Sequence, residues 1–200
     1  RRVKSCSITS STISAAAETV IAGLSGAAGM VDEDGSVPQS AFEAFRLAVD
    51  EVATLDALAY VPVITQGERA EFERVTGRPL QDLVGETLTP SPIRATYAPV
   101  RWLGPEDPLT SALIGVDVAA SSISATGAAR ATDTGDTVVT RAVTLGEDLT
   151  LFFIIKPLYL PGEEGDTVDS RRAAHVGYVA SAYAGADLIG PLTEVDPQLR

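Results

Sequence analysis

Asp117 is the residue whose type and surroundings are best suited to chemistry. It lies in the segment 113–118, where the other residues are Leu, Ile, Gly and Val, so its side chain should be at least partly buried. A buried carboxylate needs hydrogen-bond donors, and the backbone N–H groups of a following helix would supply them if Asp117 caps that helix. One carboxylate oxygen can cap while the other faces a pocket, so a structural role and a ligand-binding role can coexist.

The other reactive residue types do not form catalytic or metal-binding patterns. His175 is the single histidine, it starts a strand-like run, and no Gly-x-Ser-x-Gly motif precedes any serine, so we expect an exposed or strand-edge side chain instead of a triad base. Cys6, the single cysteine, has no basic partner close in sequence and should be an inert thiol. One histidine and one cysteine also exclude a structural zinc site and an internal disulfide. We expect no catalytic residue, no metal and no cofactor.

Two further patterns resemble functional motifs only in part. The three glycines within 23–29 follow a helical pattern, whereas glycine-rich nucleotide-binding loops follow a strand. The acidic side chains of 68–73 have Arg69 and Arg74 as neighbours on the same helix, which is typical of a solvated helix face. Neither pattern predicts a reaction.

The charge balance excludes some partners. The 200 residues include 15 Lys and Arg against 27 Asp and Glu, a net charge of −12, which repels nucleic acid phosphates and anionic lipid headgroups. With 45% hydrophobic residues, the chain can bury one sizeable core or two small ones. No apolar stretch approaches 18 residues, so the chain as given should be soluble. Because the sequence begins at Arg1 without Met, it looks like an excised segment, which is compatible with a fragment of a membrane protein between two spans.

Helical periodicity predicts two helices before residue 56. The first should cover about residues 5–29 with a thin apolar stripe. The second should cover about 38–55, with Ser36 as its N-cap. Its buried stripe should consist of Phe42, Phe45, Val49 and Val52.

Strand-like runs and turn residues predict the elements that follow. The run 57–64 contains Pro62 and should lie near a sheet edge. A capping box at 65–68 should open a short helix that uses Phe72 and Val75 as apolar contacts and stops at Gly77.

The second half predicts a strand at 96–102, a helix from Asp117 to about Arg130, and three more strands. These strands, at 137–145, 151–159 and 175–183, should form an antiparallel meander. The central one is apolar on both faces and should be covered on both sides. The order of elements is typical of an α+β domain with an antiparallel sheet, whose helices on one face can leave a pocket beneath them.

Several of these segments together resemble the CHASE domain, an extracellular sensory module of membrane-bound histidine kinases and nucleotide cyclases. The resemblance covers residues 57 to about 190, and the order and spacing of its pieces make coincidence improbable. The pieces are 57–63 (ALAYVPV), 68–73 (ERAEFE), 97–101 (YAPVR), 114–118 (IGVDV), 129–135 (ARATDTG), 155–159 (IKPLY) and 175–179 (HVGYV).

The resemblance implies a long N-terminal helix followed by a PAS-like antiparallel sheet domain flanked by helices, with a second PAS-like unit that is small or incomplete. Residues 1–56 would then be a helical stalk and packing helix. Residues 57–190 would be the PAS-like ligand-binding domain, and residues 191–200 a connector toward the membrane.

The resemblance also implies a binding site. In the cytokinin receptors of this family, the aspartate equivalent to Asp117 hydrogen-bonds an adenine ring, and the strand matching 138–140 lines the pocket, which here provides Val139 and Thr140. The implied ligand is an amino-heterocycle or an amine. Cytokinin itself is not predicted, because Trp102, Thr144 and Lys156 have no obvious counterpart in a purine-selective pocket.

Further pocket residues are expected on the strands that a PAS-like sheet presents toward its helices. These candidates are Tyr97, Arg101, Phe153 and Lys156. For Phe153 the alternative is a core role, and for Arg101 and Lys156 it is a solvated strand edge.

The implied function is that of a small-molecule sensing domain on the extracytoplasmic side of a membrane. It would have no catalytic activity of its own and would act as a homodimer tethered by flanking spans. Ligand binding would shift helix packing and signal to a cytoplasmic histidine kinase, diguanylate cyclase or adenylate cyclase. The alternatives are a structural dimerisation module with a filled core, or a small hydrolase in which His175 reaches a serine.

Overall fold

An antiparallel sheet of six strands organises the part of the chain that the computed structural model describes. The described residues are 18–53, 57–85, 87–105, 110–120, 124–140, 143–145 and 149–184. Among them, the strands are β1 (Ala57–Pro62), β2 (Ile64–Thr65), β3 (Gln81–Val84), β4 (Thr87–Pro90), β5 (Thr96–Tyr97), β6 (Trp102–Gly104), β7 (Val138–Val139), β8 (Val143–Leu145), β9 (Leu149–Tyr159) and β10 (His175–Ala184).

The described helices lie before, between and after these strands. Residues 18–24 are α-helical and continue into a 3₁₀ helix. The named helices are the 3₁₀ helices Ser25–Met30 and Thr110–Leu113 and the α-helices α1 (Gln39–Asp50), α2 (Arg69–Thr76), α3 (Ala125–Thr134) and α4 (Val168–Ala174).

The large sheet has the order β6-β1-β10-β9-β7, and β8 pairs with the far end of β9. Its longest pairing joins β9 to β10, from Tyr159 opposite His175 to Leu151 opposite Ala184. The predicted α+β class and the antiparallel meander at the C-terminal end of the chain are therefore confirmed.

Both faces of the sheet are covered by other elements. On one face, the N-terminal helical residues and α1 bury Leu24 and Phe42 against Tyr60 and Ile154. On the other face, α3 and the segment near residue 100 pack against Ile155. Because consecutive strand residues point to opposite faces, the full burial of both Ile154 and Ile155 confirms that β9 is covered on both sides. Helices lie on both faces of the sheet, whereas the order of elements in the sequence indicates helices on one face only.

Two short antiparallel pairings lie beside the sheet. β2 pairs with β5, and β3 pairs with β4. A third small core joins them to α2 through Ile64, Phe72, Leu80 and Tyr97. The β3–β4 hairpin was not predicted, because residues 78–91 carry little hydrophobic alternation.

The first strand lies second in the sheet, next to the edge strand β6, so it is near an edge, as predicted, but it is paired on both sides. β1 pairs with β10 on one side and with β6 on the other. Pro62 is tolerated because it is the last residue of β1, and β6 pairs only with residues 58–60. No ladder hydrogen bond is therefore required from the missing N–H of Pro62 on that side.

The N-terminal helices differ from their predicted limits. α1 begins after Pro38, not after Ser36, and Asp34 Oδ1 accepts a hydrogen bond from the Ser36 backbone N–H in the preceding turn. Helix α1 ends at Asp50, so Val52 lies beyond it and is 57% exposed. The first helix tightens to 3₁₀ geometry from Ser25. Its predicted part at 5–17, Cys6 and residues 185–200 lie outside the described residues.

The short elements correct several other boundaries. The Glu68 carboxylate accepts hydrogen bonds from the Thr65 backbone N–H and hydroxyl, which is half of the predicted capping box. Gly77 ends α2 in the left-handed conformation, as predicted, with φ 65°. Phe72 is buried, but Val75 faces outward and is 52% exposed.

The predicted long strands are interrupted, and one helix begins late. The run 96–102 forms β5 and β6 with irregular backbone between them, and 137–145 forms β7 and β8. The helix expected at Asp117 begins only at Ala125, with Ser124 at its N-cap. The predicted polar loop before β10 contains α4, which a Thr167–Ser170 capping box opens.

Candidate functional site

A cavity of about 100 Å³ lies on the sheet face that α3 covers. Its floor is made of four alanines, Ala57 and Ala59 from β1 and Ala180 and Ala182 from β10. The pairing places Ala57 opposite Ala182 and Ala59 opposite Ala180, so all four methyl groups share one face. Side chains this small leave a hollow in the middle of the sheet.

The walls of the cavity are apolar among the described residues. Valines and leucines of the segment 100–118 close it from above, and Phe153 and Ile155 of β9 close one side. Two serines also border it. The Ser124 hydroxyl donates to the Val118 carbonyl oxygen over 2.6 Å, and Ser181 alternates with the floor alanines, so its side chain points to the opposite face.

Asp117 stands behind the cavity wall formed by its neighbours Val116 and Val118. It is only 1% exposed, which confirms the predicted burial. Its Oδ1 accepts backbone hydrogen bonds from Ala98, Ala119 and Ala120 at 3.1, 2.9 and 3.3 Å, and its Oδ2 lies 3.7 Å from Arg94 Nη2. Burial raises the pKa of the carboxyl, and the hydrogen bond from Ala98 opposes that shift.

Arg94 connects Asp117 to a second buried carboxylate. Its Nη2 also pairs with Asp82, which accepts a hydrogen bond from the Ser91 hydroxyl. The loop of Arg94 and the turn of Asp117 are therefore held to the β3–β4 hairpin. This polar network supports the cavity wall from outside.

Most of the other sequence-predicted site residues lie away from the cavity. Of the six candidates other than Asp117, only Phe153 is among the described lining residues. Val139 is 43% exposed on β7. Thr140 pairs with β9, its N–H donating to the Phe153 carbonyl and its hydroxyl oxygen accepting from the Phe153 N–H.

The two basic candidates have local contacts of their own. Lys156 Nζ donates to the Gly135 carbonyl oxygen over 3.2 Å at the end of α3. The Arg101 guanidinium lies over the Trp102 ring, 5.1 Å from its centre. Its buried Nε has no hydrogen-bond partner among the described residues.

Tyr97, the remaining candidate, is a structural hub. Its ring is buried, and its hydroxyl oxygen accepts from the Arg94 backbone N–H at 2.9 Å and from Arg69 Nη1 at 3.3 Å. The same hydroxyl faces the Gln66 side chain and the Pro92 carbonyl oxygen as acceptors. These contacts tie α2 to the loop before β5.

A second and more polar cleft, of about 340 Å³, lies at the other end of the same sheet face and includes Tyr97 and His175. His175 is half-buried and not exposed, because Tyr159 and Tyr178 flank its ring. Its Nε2 lies 3.4 Å from the Thr132 hydroxyl, which also contacts the Tyr178 hydroxyl at 2.9 Å. Burial lowers the pKa of His175 to about 4, so the ring is neutral at pH 7.

The floor alanines are the site feature that sequence reasoning missed. Alanine is depleted in strands, yet β1 and β10 each carry it at alternate positions. That alternation indicates that one face of each strand carries only small side chains. Its meaning depends on the two strands being paired, which the sequence did not reveal.

In the described part of the chain, no group of three or more metal-binding side chains comes together. No described helix combines the length and the apolar character needed to cross a bilayer.

Comparison with known proteins gives two findings. The family model of the CHASE domain matches residues 35–200. Over 136 residues, 68% of this chain, the sequence is 30% identical to "Probable histidine kinase 4" of Oryza sativa subsp. japonica. The chain spans 13% of the length of that curated relative.

Proposed function

The chain belongs to the CHASE domain family, a family of sensory domains of signal-transduction proteins, and on that premise we propose that it senses a small molecule for a membrane-bound histidine kinase or nucleotide cyclase. The observation that carries the proposal is the alanine-floored cavity. A sensory domain needs an internal space that a ligand can fill. This cavity lies over the middle of the main sheet, so a bound ligand could affect the packing on both faces of the sheet.

The central strands give the cavity a physical route to the opposite layer. Ala59 and Ala180 face the cavity, whereas their neighbours Leu58 and Val179 belong to the core beneath the N-terminal helical residues and α1. A ligand that displaces β1 or β10 would therefore change packing against those helices. The signal would pass from a filled cavity to a shifted helix.

The wider arrangement is part of the same proposal. We place the domain on the extracytoplasmic side, as a homodimer tethered by spans outside the described residues, without catalysis of its own. The rice relative is named a histidine kinase and is much longer than this chain, which supports an output domain elsewhere in the parent protein. The antiparallel sheet with helices on both faces supports a PAS-like fold.

A ligand screen on the 200-residue chain tests the sensing role. Neutral, cationic and anionic small molecules would be compared by thermal shift. A ligand at 100 times its dissociation constant should raise the unfolding free energy by about 2.7 kcal/mol. Ala180→Leu, which fills the cavity floor, should abolish the shift.

The matched control is Ala48→Leu, at an exposed position of α1. It should keep the ligand response of the unsubstituted chain. A response that survives Ala180→Leu would show that the ligand binds outside this cavity. A screen without any response from a folded sample would count against the sensing role.

A structural dimerisation module is the second candidate, because α1 exposes Leu47 by 56% and Val52 follows it equally exposed. If dimerisation is the whole function, Leu47→Glu should dissociate a dimer in sedimentation experiments while no ligand shifts the melting temperature. The cavity over the floor alanines argues against a completely filled core, although it does not reach the Asp117 carboxylate. The hydrolase alternative has less support, since the recorded side-chain partner of His175 is a threonine, not a serine.

A further inference from the structure

We propose that the alanine-floored cavity takes a neutral, apolar molecule of about six heavy atoms, and not an amine or an amino-heterocycle. The proposal rests on the sensing role proposed above and names the chemistry of its ligand. Three features carry it: the volume of the cavity, the character of its lining, and the state of Asp117.

The volume limits the ligand to a small ring or a short branched chain. The cavity measures about 100 Å³. An engineered protein cavity of roughly 150 Å³, lined by Leu, Ile and Phe, stays dry and binds benzene. A molecule of benzene size is therefore the upper range, and adenine with its exocyclic amine is too large for the cavity as it stands.

The lining offers a polar ligand very few partners among the described residues. The floor is methyl groups, and the walls are mostly Val, Leu, Ile and Phe side chains. The Ser124 proton is already donated to Val118, so this hydroxyl can accept from a ligand N–H but cannot donate to a ligand acceptor. A ligand charge, or a polar group that does not reach Ser124, would lose its hydration without a compensating hydrogen bond, which is strongly unfavourable.

Asp117, the group that would recognise an amine, is occupied and faces away. Three backbone N–H groups converge on Oδ1, and Arg94 stands at Oδ2. Its neighbours Val116 and Val118 line the cavity in its place. From this cavity, an amine could reach the carboxylate only by displacing the wall and competing with the arginine.

Binding of three probes to the 200-residue chain tests the proposal. Benzene and pyridine have the same shape, but pyridine carries one ring nitrogen that would remain unpaired in the cavity. Benzene should bind, pyridine at least tenfold more weakly, and adenine not at all. Titrations followed by NMR would give the three dissociation constants.

Contacts in the unsubstituted protein would locate the bound probe. With ¹³C-labelled alanine methyl groups, benzene should give intermolecular NOEs to Ala57, Ala59 and Ala180. Ala180→Leu should weaken benzene binding at least tenfold, whereas Ala48→Leu should leave it unchanged. If Ala180→Leu fails to fold, the NOEs decide alone.

The outcomes separate the ligand class from the sensing role. Adenine or pyridine binding more tightly than benzene, with NOEs to the same alanines, would overturn the apolar class but leave a sensor with a polar ligand. Benzene without NOEs to these alanines would overturn the proposal as well. If no probe binds and no compound of the wider screen shifts the melting temperature, both the ligand class and the sensing role fail.

Discussion

Asp117 has a task in this fold that needs no ligand. Its carboxylate accepts hydrogen bonds from Ala98, before β6, and from the turn at Ala119 and Ala120. These backbone groups belong to two chain segments that also pair directly, through an antiparallel bridge between Pro99 and Asp117 and a hydrogen bond from the Val118 N–H to the Ala98 carbonyl oxygen. The side chain therefore reinforces a short main-chain pairing.

Asp117→Ala should lower the free energy of unfolding by about 2–4 kcal/mol, because it leaves buried N–H groups and Arg94 without their acceptor. Urea denaturation at pH 7 measures the loss. Asp136→Ala, at an exposed carboxylate, should change stability by less than about 0.5 kcal/mol. Equal effects of the two substitutions would contradict the capping role.

His175 should make the protein less stable as the pH falls. Its folded-state pKa of about 4 lies below the value near 6.5 of an unfolded histidine, so the unfolded chain binds the proton more tightly. The stabilisation is present above pH 6.5 and is lost as the pH falls toward 4. Between pH 7 and pH 5 the loss should be about 2 kcal/mol.

His175→Gln is the comparison that isolates this effect, because the chain has no second histidine. Urea midpoints at pH 7 and pH 5 should differ less in the variant than in the unsubstituted protein. Asp117, whose pKa is raised, contributes in the opposite direction in both proteins. The same pH dependence in the variant would rule out His175 as its source.

The burial of a single residue was predictable where its neighbours in the sequence determine it. The burial of Asp117 followed from the apolar residues beside it. Its donor Ala98 and its partner Arg94 lie 19 and 23 positions away, and local sequence carries no signal for such contacts. For the same reason Tyr97 and Phe153 were both expected in one pocket, although they lie in separate ones.

At the scale of elements, periodicity identified helix faces better than helix ends. Phe42 and Val49 are buried as predicted, but α1 stops before Val52. Gly77 was found correctly, because a glycine in the left-handed conformation is a local stop signal. The alanines of β1 and β10 acquire their meaning only when the two strands pair.

Gly115 sets the position of the loop that roofs the cavity. Its φ is +88°, and a Cβ there would stand 2.5 Å from the Pro79 carbonyl oxygen. Gly115→Ala should therefore cost about 2–4 kcal/mol of stability, since backbone strain and a clash with main chain combine. Thermal and urea denaturation both measure this loss.

Two other glycines separate the contribution of backbone strain from that of the steric clash. Gly77 has a positive φ but open space around it, so Gly77→Ala should cost about 1 kcal/mol. Gly29 has open space and no positive φ, so Gly29→Ala should leave stability unchanged or slightly higher. A Gly115→Ala loss no larger than that of Gly77→Ala would show that the loop yields to the added methyl group.

At the scale of the whole molecule, the fold class was predictable and the strand order was not. Strand runs and turns indicated an antiparallel α+β domain. The pairing of β1 with β10, however, joins residues more than 100 positions apart, and no property of 57–62 selects that partner. Pro62 suggested an edge because its position at the very end of the pairing was not visible in the sequence.

The net charge of −12 should keep the protein off polyanions. At 0.15 M salt it should not retard duplex DNA in a gel or sediment with phosphatidylserine-containing vesicles. Lowering the salt to 10 mM weakens electrostatic screening, because the Debye length rises to roughly 30 Å, and should strengthen the repulsion. Association that appears at low salt would reveal a local basic surface that overrides the overall charge.

Because the two sheet faces are packed unequally, one side of the domain should be more compressible than the other. One face is filled by large side chains such as Phe42 and Tyr60, while the other holds a void over four methyl groups. Hydrostatic pressure acts on such internal free volume, and filled cores have low compressibility. Under pressure, the alanine methyl resonances of the floor should shift more than those of Leu58 and Val179, so the softer face yields first.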